Sequence, residues 1–155
     1  MNFSLLWAIL LSISPISELR GGIPYAILNG INPLTAFIVC VLANIAIIIF
    51  IFFFLDFLHN SFMKLSIYRK IFGFFLERTR KKVDEVEKKM GIYGFLALTI
   101  FVAIPLPATG AWTGCLIAWI LGLDRKKSIL AISLGVFIAG LIVLLTTIGL
   151  IKLFS

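Results

Sequence analysis

The segment that decides the fold is Ser14-Pro15-Ile16-Ser17-Glu18-Leu19-Arg20-Gly21-Gly22-Ile23-Pro24, which places two charges, two prolines and two glycines between apolar stretches. Prolines remove backbone donors and interrupt helices, whereas glycines let the chain turn and let a ligand come close. Inside a bilayer, non-helical backbone is tolerated only where protein covers it or where it lines a wet cavity. The segment therefore predicts a helix broken within a membrane, with Glu18 and Arg20 at the break.

A second segment, Pro105-Leu106-Pro107-Ala108-Thr109-Gly110-Ala111-Trp112-Thr113-Gly114, has the same character without the charges. We predict that the prolines of both segments break helices: Pro15, Pro24, Pro105 and Pro107. In the first segment we expect a short helix to begin only at about Pro24, after an irregular loop that carries both charged residues.

The composition predicts an integral membrane protein. Hydrophobic residues make up 61% of the 155 residues, whereas soluble domains are about 45–50% apolar. The net charge is +7, and residues 64–90 hold nine Lys and Arg against four acidic residues. Because this charge lies beside apolar stretches, the positive-inside rule explains it better than nucleic-acid binding does. We expect no nucleic-acid partner, no metal, no cofactor and no enzymatic activity, since no catalytic or metal-binding motif is present.

The pattern of apolar and broken stretches occurs twice, which predicts an all-α membrane fold of two inverted repeats. Each repeat is a re-entrant hairpin followed by one transmembrane helix. Repeat 1 is predicted over 1–58, with its hairpin over 3–30 and its helix over 33–58. A basic cytoplasmic amphipathic connector over 59–90 leads to repeat 2 over 91–155, with its hairpin over 92–121 and its helix over 125–154. In both repeats a short motif ends one helix and caps the next, Gly30-Ile31-Asn32 and Gly122-Leu123-Asp124. Asn and Asp are good N-cap residues.

The distribution of basic residues supports hairpins rather than full crossings. If 3–30 and 92–121 each crossed the membrane, the basic segments 64–90 and 125–127 would lie on opposite sides. Hairpins place both segments in the cytoplasm, as the positive-inside rule requires. Inverted repeats with broken helices at the midplane are typical of secondary transporters.

Residues 18–24 and 105–114 together resemble the small multi-drug export protein family, over nearly the whole chain. That family is similar in plan to the DedA/VTT superfamily, which has two opposed re-entrant hairpins and includes flippases of polyprenyl-phosphate lipid carriers. The resemblance implies a transport function in the cell membrane. Hairpin loops of the superfamily commonly carry acidic residues and arginine, which Glu18 and Arg20 match, while the second loop here departs from the pattern because it has no charge.

The charged residues are the first candidates for function, because charges within a membrane are costly. We expect Arg20 to bind an anionic headgroup through its planar donor fork and Glu18 to carry a coupling proton. The alternative is a structural ion pair that ties the loop to backbone. Further candidates for substrate binding are Gly21, Gly22, Thr109, Gly110, Trp112 and Thr113, with turn geometry and hairpin packing as the competing explanations.

Three polar residues of the first long helix are more ambiguous. Asn44 either hydrogen-bonds across to a hairpin or lines a cavity, and we favour the structural role. Asp56 and His59 either form a proton relay or are ordinary residues at the membrane interface, and we favour the interface.

The sequence predicts a secondary transporter that moves an amphiphilic, anionic or phosphorylated lipid-like substrate between two opposed loops, with proton coupling. Alternatives are an exporter of lipophilic cations, a non-transporting scaffold and an intramembrane enzyme acting on lipid. The expected partners are membrane lipids, the small amphiphilic substrate and further copies of the chain in a homodimer or higher homo-oligomer.

Overall fold

The structure, a computed structural model, describes residues 3–62, 91–106 and 109–154, and these residues contain helices and turns but no strand. Most of the predicted connector over 59–90 lies outside the described residues, as does Pro107. The helices are α1 (Phe3–Ile13), α2 (Glu18–Leu28), α3 (Pro33–Phe62), α4 (Gly91–Ala103), α5 (Ala111–Ile120) and α6 (Arg125–Phe154).

The two long helices, α3 and α6, are those predicted to cross the membrane. The segments Pro33–His59 and Arg125–Leu153 are long and apolar enough to do so. The helices run antiparallel, because Gly140 of α6 packs against Val41 of α3 while the start of α6 meets the end of α3. A methyl group at Gly140 would lie only 2.7 Å from Val41 Cγ2. The absence of a side chain at Gly140 therefore lets the two long helices approach closely.

The four shorter helices form two packed pairs. In the first, a methyl group at Gly22 of α2 would lie 2.7 Å from the Ala8 carbonyl oxygen of α1. In the second, Val102 of α4 fills the space that Gly114 of α5 and Gly135 of α6 leave open. The predicted interruptions therefore exist in both segments, and the chain folds back at each. That the hairpins are re-entrant, and that the halves form an inverted repeat, stay predictions.

The two predicted turns have the same conformation. Gly30 and Gly122 adopt the left-handed backbone, with φ of +79° and +64°. One residue later, the N–H groups of Ile31 and Leu123 each donate to a carbonyl five residues back at 3.0 Å. This is the Schellman arrangement, in which glycine is favoured because a side chain would be strained.

The N-caps of both long helices are confirmed. Asn32 Oδ1 accepts from the N–H of Leu34 at 2.9 Å, and Asp124 Oδ1 accepts from the N–H of Lys127 at 2.8 Å. Each cap satisfies one of the donors left free at a helix start. The two turns therefore set the directions of α3 and α6 through the same local interactions.

The start of α2 corrects the sequence prediction. The helix begins at Glu18, six residues before the expected start, and Pro24 lies inside it. Pro24 is therefore not a helix breaker. A proline removes a single hydrogen bond of the helix, and neighbouring helices can cover the carbonyl that it frees. By contrast, Pro15 lies in the turn between α1 and α2, and Pro105 follows α4, as predicted.

Candidate functional site

The first charged residue, Glu18, lies at the N-terminus of α5, in the other hairpin. Its carboxylate faces the backbone N–H groups of Ala111 and Trp112, and Trp112 N lies 3.4 Å from Oε1. Gly110, the N-cap residue of α5, makes no side-chain cap hydrogen bond. Glu18 supplies the missing cap from the first hairpin, and its negative charge is favourable at the positive end of the helix dipole.

Close packing fixes this arrangement. Glu18 is only 7% exposed, and a Cβ atom added at Gly110 would overlap its carboxylate group. The Glu18 backbone has a φ of +49°, a left-handed conformation that costs a residue with a side chain roughly 1–2 kcal/mol. The surrounding contacts hold Glu18 in this strained conformation, which places its side chain against α5.

The second charged residue, Arg20, binds the broken backbone between α4 and α5. One terminal nitrogen donates to the Leu106 carbonyl oxygen. The other donates to the Thr109 carbonyl oxygen at 2.6 Å and to Thr109 Oγ1 at 3.1 Å. Carbonyls beyond the end of α4 have no intrahelical partner, and the planar guanidinium fork satisfies two of them at once.

Glu18 and Arg20 do not pair with each other. In the part of the chain that the structure describes, the single ion pair joins Asp56 and Arg125. The alternative prediction, an ion pair between Glu18 and Arg20, is therefore wrong. Its second part holds, because both charged side chains bind backbone groups. Each charge complements the nearby helix end, since the anion meets the start of α5 and the cation meets the chain beyond the end of α4.

The end of α1 is completed by side chains from outside that helix. The carbonyls of Leu11–Ile13 accept, in chain order, from Ser17 Oγ at 2.7 Å, Asn44 Nδ2 at 2.7 Å and Trp112 Nε1 at 3.0 Å. Helix ends away from water need such partners. The structural role favoured for Asn44 is confirmed. Trp112 of the second hairpin donates to backbone of the first hairpin, just as Arg20 of the first hairpin donates to backbone of the second.

The structure brings five of the predicted site residues together at this contact between the hairpins, which we call the central junction: Glu18, Arg20, Thr109, Gly110 and Trp112. Gly21 and Gly22 lie within α2 instead of a loop. The N–H of Gly21 donates to the Ser17 carbonyl at 3.1 Å, and Gly22 is buried against α1. Thr113 is half-buried on α5. The substrate-binding roles of these residues stay predictions.

A second polar cluster joins the end of α3 to α5 and α6. Asp56 accepts from Trp119 Nε1 at 2.9 Å and from the guanidinium of Arg125. The His59 ring lies edge-on to Trp119, with ring centroids 5.3 Å apart. Sequence reasoning placed Asp56 and His59 at the interface but missed their partners. These partners could have been anticipated, since the predicted topology puts the end of α3 and the start of α6 on the same side of the membrane.

The central junction contains charged groups and backbone but lacks a set of metal ligands. Within the described ranges, no three His, Cys, Asp or Glu side chains come together. Cys40 and Cys115 are buried free thiols. The polar groups described at this junction offer hydrogen bonds and charge.

The fold and the junction define a helical membrane protein in which two interrupted hairpins complete each other's helix ends. The chain belongs to the family described as "Putative small multi-drug export protein", whose model matches residues 18–142. No curated protein and no solved structure matches the chain. The family name indicates an export role, which is that of a transporter rather than an enzyme.

Proposed function

We propose that the chain is a secondary transporter that moves a small amphiphilic substrate through the central junction, coupled to protons. The observation that carries this proposal is the binding of Glu18 and Arg20 to the interrupted backbone of the other hairpin. Helix ends that meet within a membrane are the usual binding elements of secondary transporters. Their hydrogen bonds are exchangeable, because a substrate can replace one partner of each bond.

An anionic or phosphorylated lipid-like substrate fits the donors of this junction. When the Glu18 carboxylate withdraws, the N–H groups of Ala111 and Trp112 and the guanidinium of Arg20 are left as anion-binding groups. A proton on Glu18 neutralises the group that competes with the substrate, so protonation and substrate binding favour each other. Thr109 and Thr113 supply hydroxyl groups, and Gly110 leaves room for close approach. Gly21 leaves room for the Ser17 side chain, and Gly22 keeps α2 close to α1.

We further propose that the protein lies in the cytoplasmic membrane with its basic segments in the cytoplasm. The Asp56–Arg125 pair supports this, because it puts the end of α3, which leads to residues 64–90, beside the basic turn 125–127. The positive-inside rule then assigns that side to the cytoplasm. A homo-oligomer would give this small chain a thicker wall around its pathway.

The test is transport in proteoliposomes of purified protein, with a fluorescent short-chain polyprenyl phosphate and an imposed pH gradient. We expect wild-type protein to move the probe faster with the gradient than without it. Glu18→Gln should remove the response to the gradient, whereas Lys126→Gln, which neutralises an exposed cation of the basic turn, should keep it. Equal movement in empty and protein-containing vesicles would refute transport of this substrate and favour the scaffold.

The second candidate is export of lipophilic cations, which the cluster around Asp56 favours. Such a substrate needs an accessible acid, and Glu18 is buried against α5. Asp56 is a carboxylate with aromatic neighbours and a side chain 41% exposed. Export of ethidium from cells, lost in Asp56→Asn and kept in Glu18→Gln, would support this candidate.

A further inference from the structure

The side-chain amide of Asn44, on α3, has one atom in use and one without a partner. The side chain is fully buried, and Nδ2 donates to the Ser12 carbonyl oxygen of α1 at 2.7 Å. Among the described residues, Asn44 Oδ1 is the one buried side-chain nitrogen or oxygen that has no hydrogen-bond partner. Such an atom is costly and rare in native proteins, so we expect Oδ1 to receive a donor in another state of the protein.

The contact with Ser12 shows what kind of partner is missing. Turning the amide over would place Oδ1 against the Ser12 carbonyl oxygen, and two acceptors would then face each other. The unpartnered atom of Asn44 is therefore an acceptor, which an O–H or N–H group can satisfy.

Glu18 lies on the face of α2 that packs against the same part of α1. Glu18 and Gly22 are four residues apart, so they share one face of the helix. A Cβ atom added at Gly22 would overlap Ser12 Oγ. This face of α2 therefore meets the residue whose carbonyl Asn44 binds.

A second set of contacts leads from Asn44 to the Glu18 carboxylate. Asn44 binds the carbonyl of Ser12, and the indole of Trp112 binds the carbonyl of Ile13, the next residue. The backbone nitrogen of the same tryptophan lies 3.4 Å from Glu18 Oε1. The carboxylate and the unpartnered amide oxygen thus belong to one group of contacts around the end of α1.

The protonation state of Glu18 decides which partners it needs. A carboxylate only accepts hydrogen bonds, and the N–H groups at the start of α5 suit it, whereas a carboxylic acid has an O–H that needs an acceptor. The start of α5 presents N–H groups, and Arg20 likewise only donates. Asn44 Oδ1 is the buried side-chain acceptor that remains for the acid.

We propose that Asn44 is a positioning residue for the proton carrier, whose Oδ1 accepts the O–H of Glu18 once that carboxylate has taken up a proton and left α5. The proton comes from the acidic side of the membrane and is released when Glu18 returns. Meanwhile the N–H groups of Ala111 and Trp112 are open to an anionic substrate. The inference rests on the proposed function and deepens it, because it assigns the second position of Glu18.

Three other titratable groups lie near these two residues. Arg20 of α2 and the Cys115 thiol of α5 interact electrostatically with Glu18. On α3, the Cys40 thiol lies one turn before Asn44 and contacts the Ser12 side chain. All three are kept in the variants below, so a difference between those variants does not come from their removal.

The experiment is infrared difference spectroscopy of the purified full-length protein in lipid, titrated from neutral to acidic pH. We expect a carboxylic-acid C=O band in wild type that is absent in Glu18→Gln, which assigns it to Glu18. In Asn44→Leu the band should move to higher frequency, because the O–H has lost its acceptor. It should also appear about one pH unit lower, the shift that one hydrogen bond to the neutral form produces.

Thr99→Val is the matched control. Thr99 of α4 is buried and donates to the Ala131 carbonyl of α6 at 3.2 Å, so this variant also removes a buried polar link between two helices. It should leave the frequency and the pH midpoint of the Glu18 band unchanged. Equal shifts in Thr99→Val and Asn44→Leu would overturn the proposal, because the effect would then be a general loosening of the packing.

A measurement without substitution at Asn44 covers the case in which Asn44→Leu fails to fold. With isotope-labelled asparagine side-chain carbonyls, acidification should move an asparagine band in wild type but not in Glu18→Gln. The absence of such a band would overturn the proposal. So would a Glu18 band that stays unchanged in folded Asn44→Leu, and this result would leave the proposed transport intact. If no band belongs to Glu18 at any pH, both this inference and the proposed proton coupling fail.

Discussion

Replacing Arg20 by glutamine tests whether the guanidinium holds the fold or serves only a substrate. Its two terminal nitrogens donate to the carbonyl groups of Leu106 and Thr109 and to the hydroxyl of Thr109. A glutamine amide is shorter and reaches at most one of these acceptors. At least two of the charged hydrogen bonds in the break after α4 are then lost, although the Leu106 carbonyl keeps its hydrogen bonds from the N–H and the hydroxyl of Thr109.

The expected loss of stability follows from these contacts. A hydrogen bond to a charged group contributes about 1.5–3 kcal/mol. Arg20 is only half-buried, so the lower part of this range applies, about 1.5–2 kcal/mol per bond, and the loss of two bonds should cost about 3–4 kcal/mol. In a chain of this size that corresponds to a melting temperature lower by roughly 5–15 °C.

The assay is fluorescence-detected size-exclusion chromatography of detergent-solubilised protein after heating. Arg20→Lys should lie between wild type and Arg20→Gln, because an ammonium group keeps the charge but not the planar fork. Lys126→Gln should melt like wild type. If Arg20→Gln also melts within about 2 °C of wild type, against the shift expected for two lost bonds, the structural role of Arg20 is refuted.

Three further substitutions test the close contacts of the hairpins, each by melting temperature in the same assay. Gly110→Ala should push the Glu18 carboxylate off α5, lowering stability by about 1–3 kcal/mol as a buried charge loses its donors; unchanged melting would contradict the cap. Trp112→Phe should cost about 1–3 kcal/mol, because the last carbonyl of α1 loses its donor, and a neutral result would disprove that bond. Gly135→Ala should destabilise the protein, because its methyl group would lie 2.8 Å from a backbone oxygen. Gly149→Ala on the same helix has open space and should gain about 0.5–1 kcal/mol, so equal effects would rule out the packing argument.

The residue types within each turn were sufficient to predict the turns that precede the two long helices. Gly30 and Gly122 adopt the left-handed conformation that glycine tolerates, and Asn32 and Asp124 cap the helices that follow. Each of these interactions lies within a few residues of the chain. Such interactions leave a residue-type pattern that a single sequence displays.

The contacts of Glu18 and Arg20 could not be predicted in the same way. Their partners are 86 to 94 residues away along the chain. Those partners are mostly backbone N–H and carbonyl groups, which every residue type carries, so the sequence contains no complementary signal. The error at Pro24 has a related cause, because tertiary cover lets a helix pass through a proline that a local rule would place at its end.

The exchange of partners between the hairpins has a consequence for synthesis in the cell. Glu18 emerges from the ribosome 94 residues before Trp112, its partner at the start of α5. At about 5–20 residues per second, this interval lasts roughly 5–20 s. The newly made first hairpin meanwhile has a carboxylate without its donors and an α1 end without the indole. We therefore expect these polar groups to stay in contact with water or with another protein until the second hairpin is made.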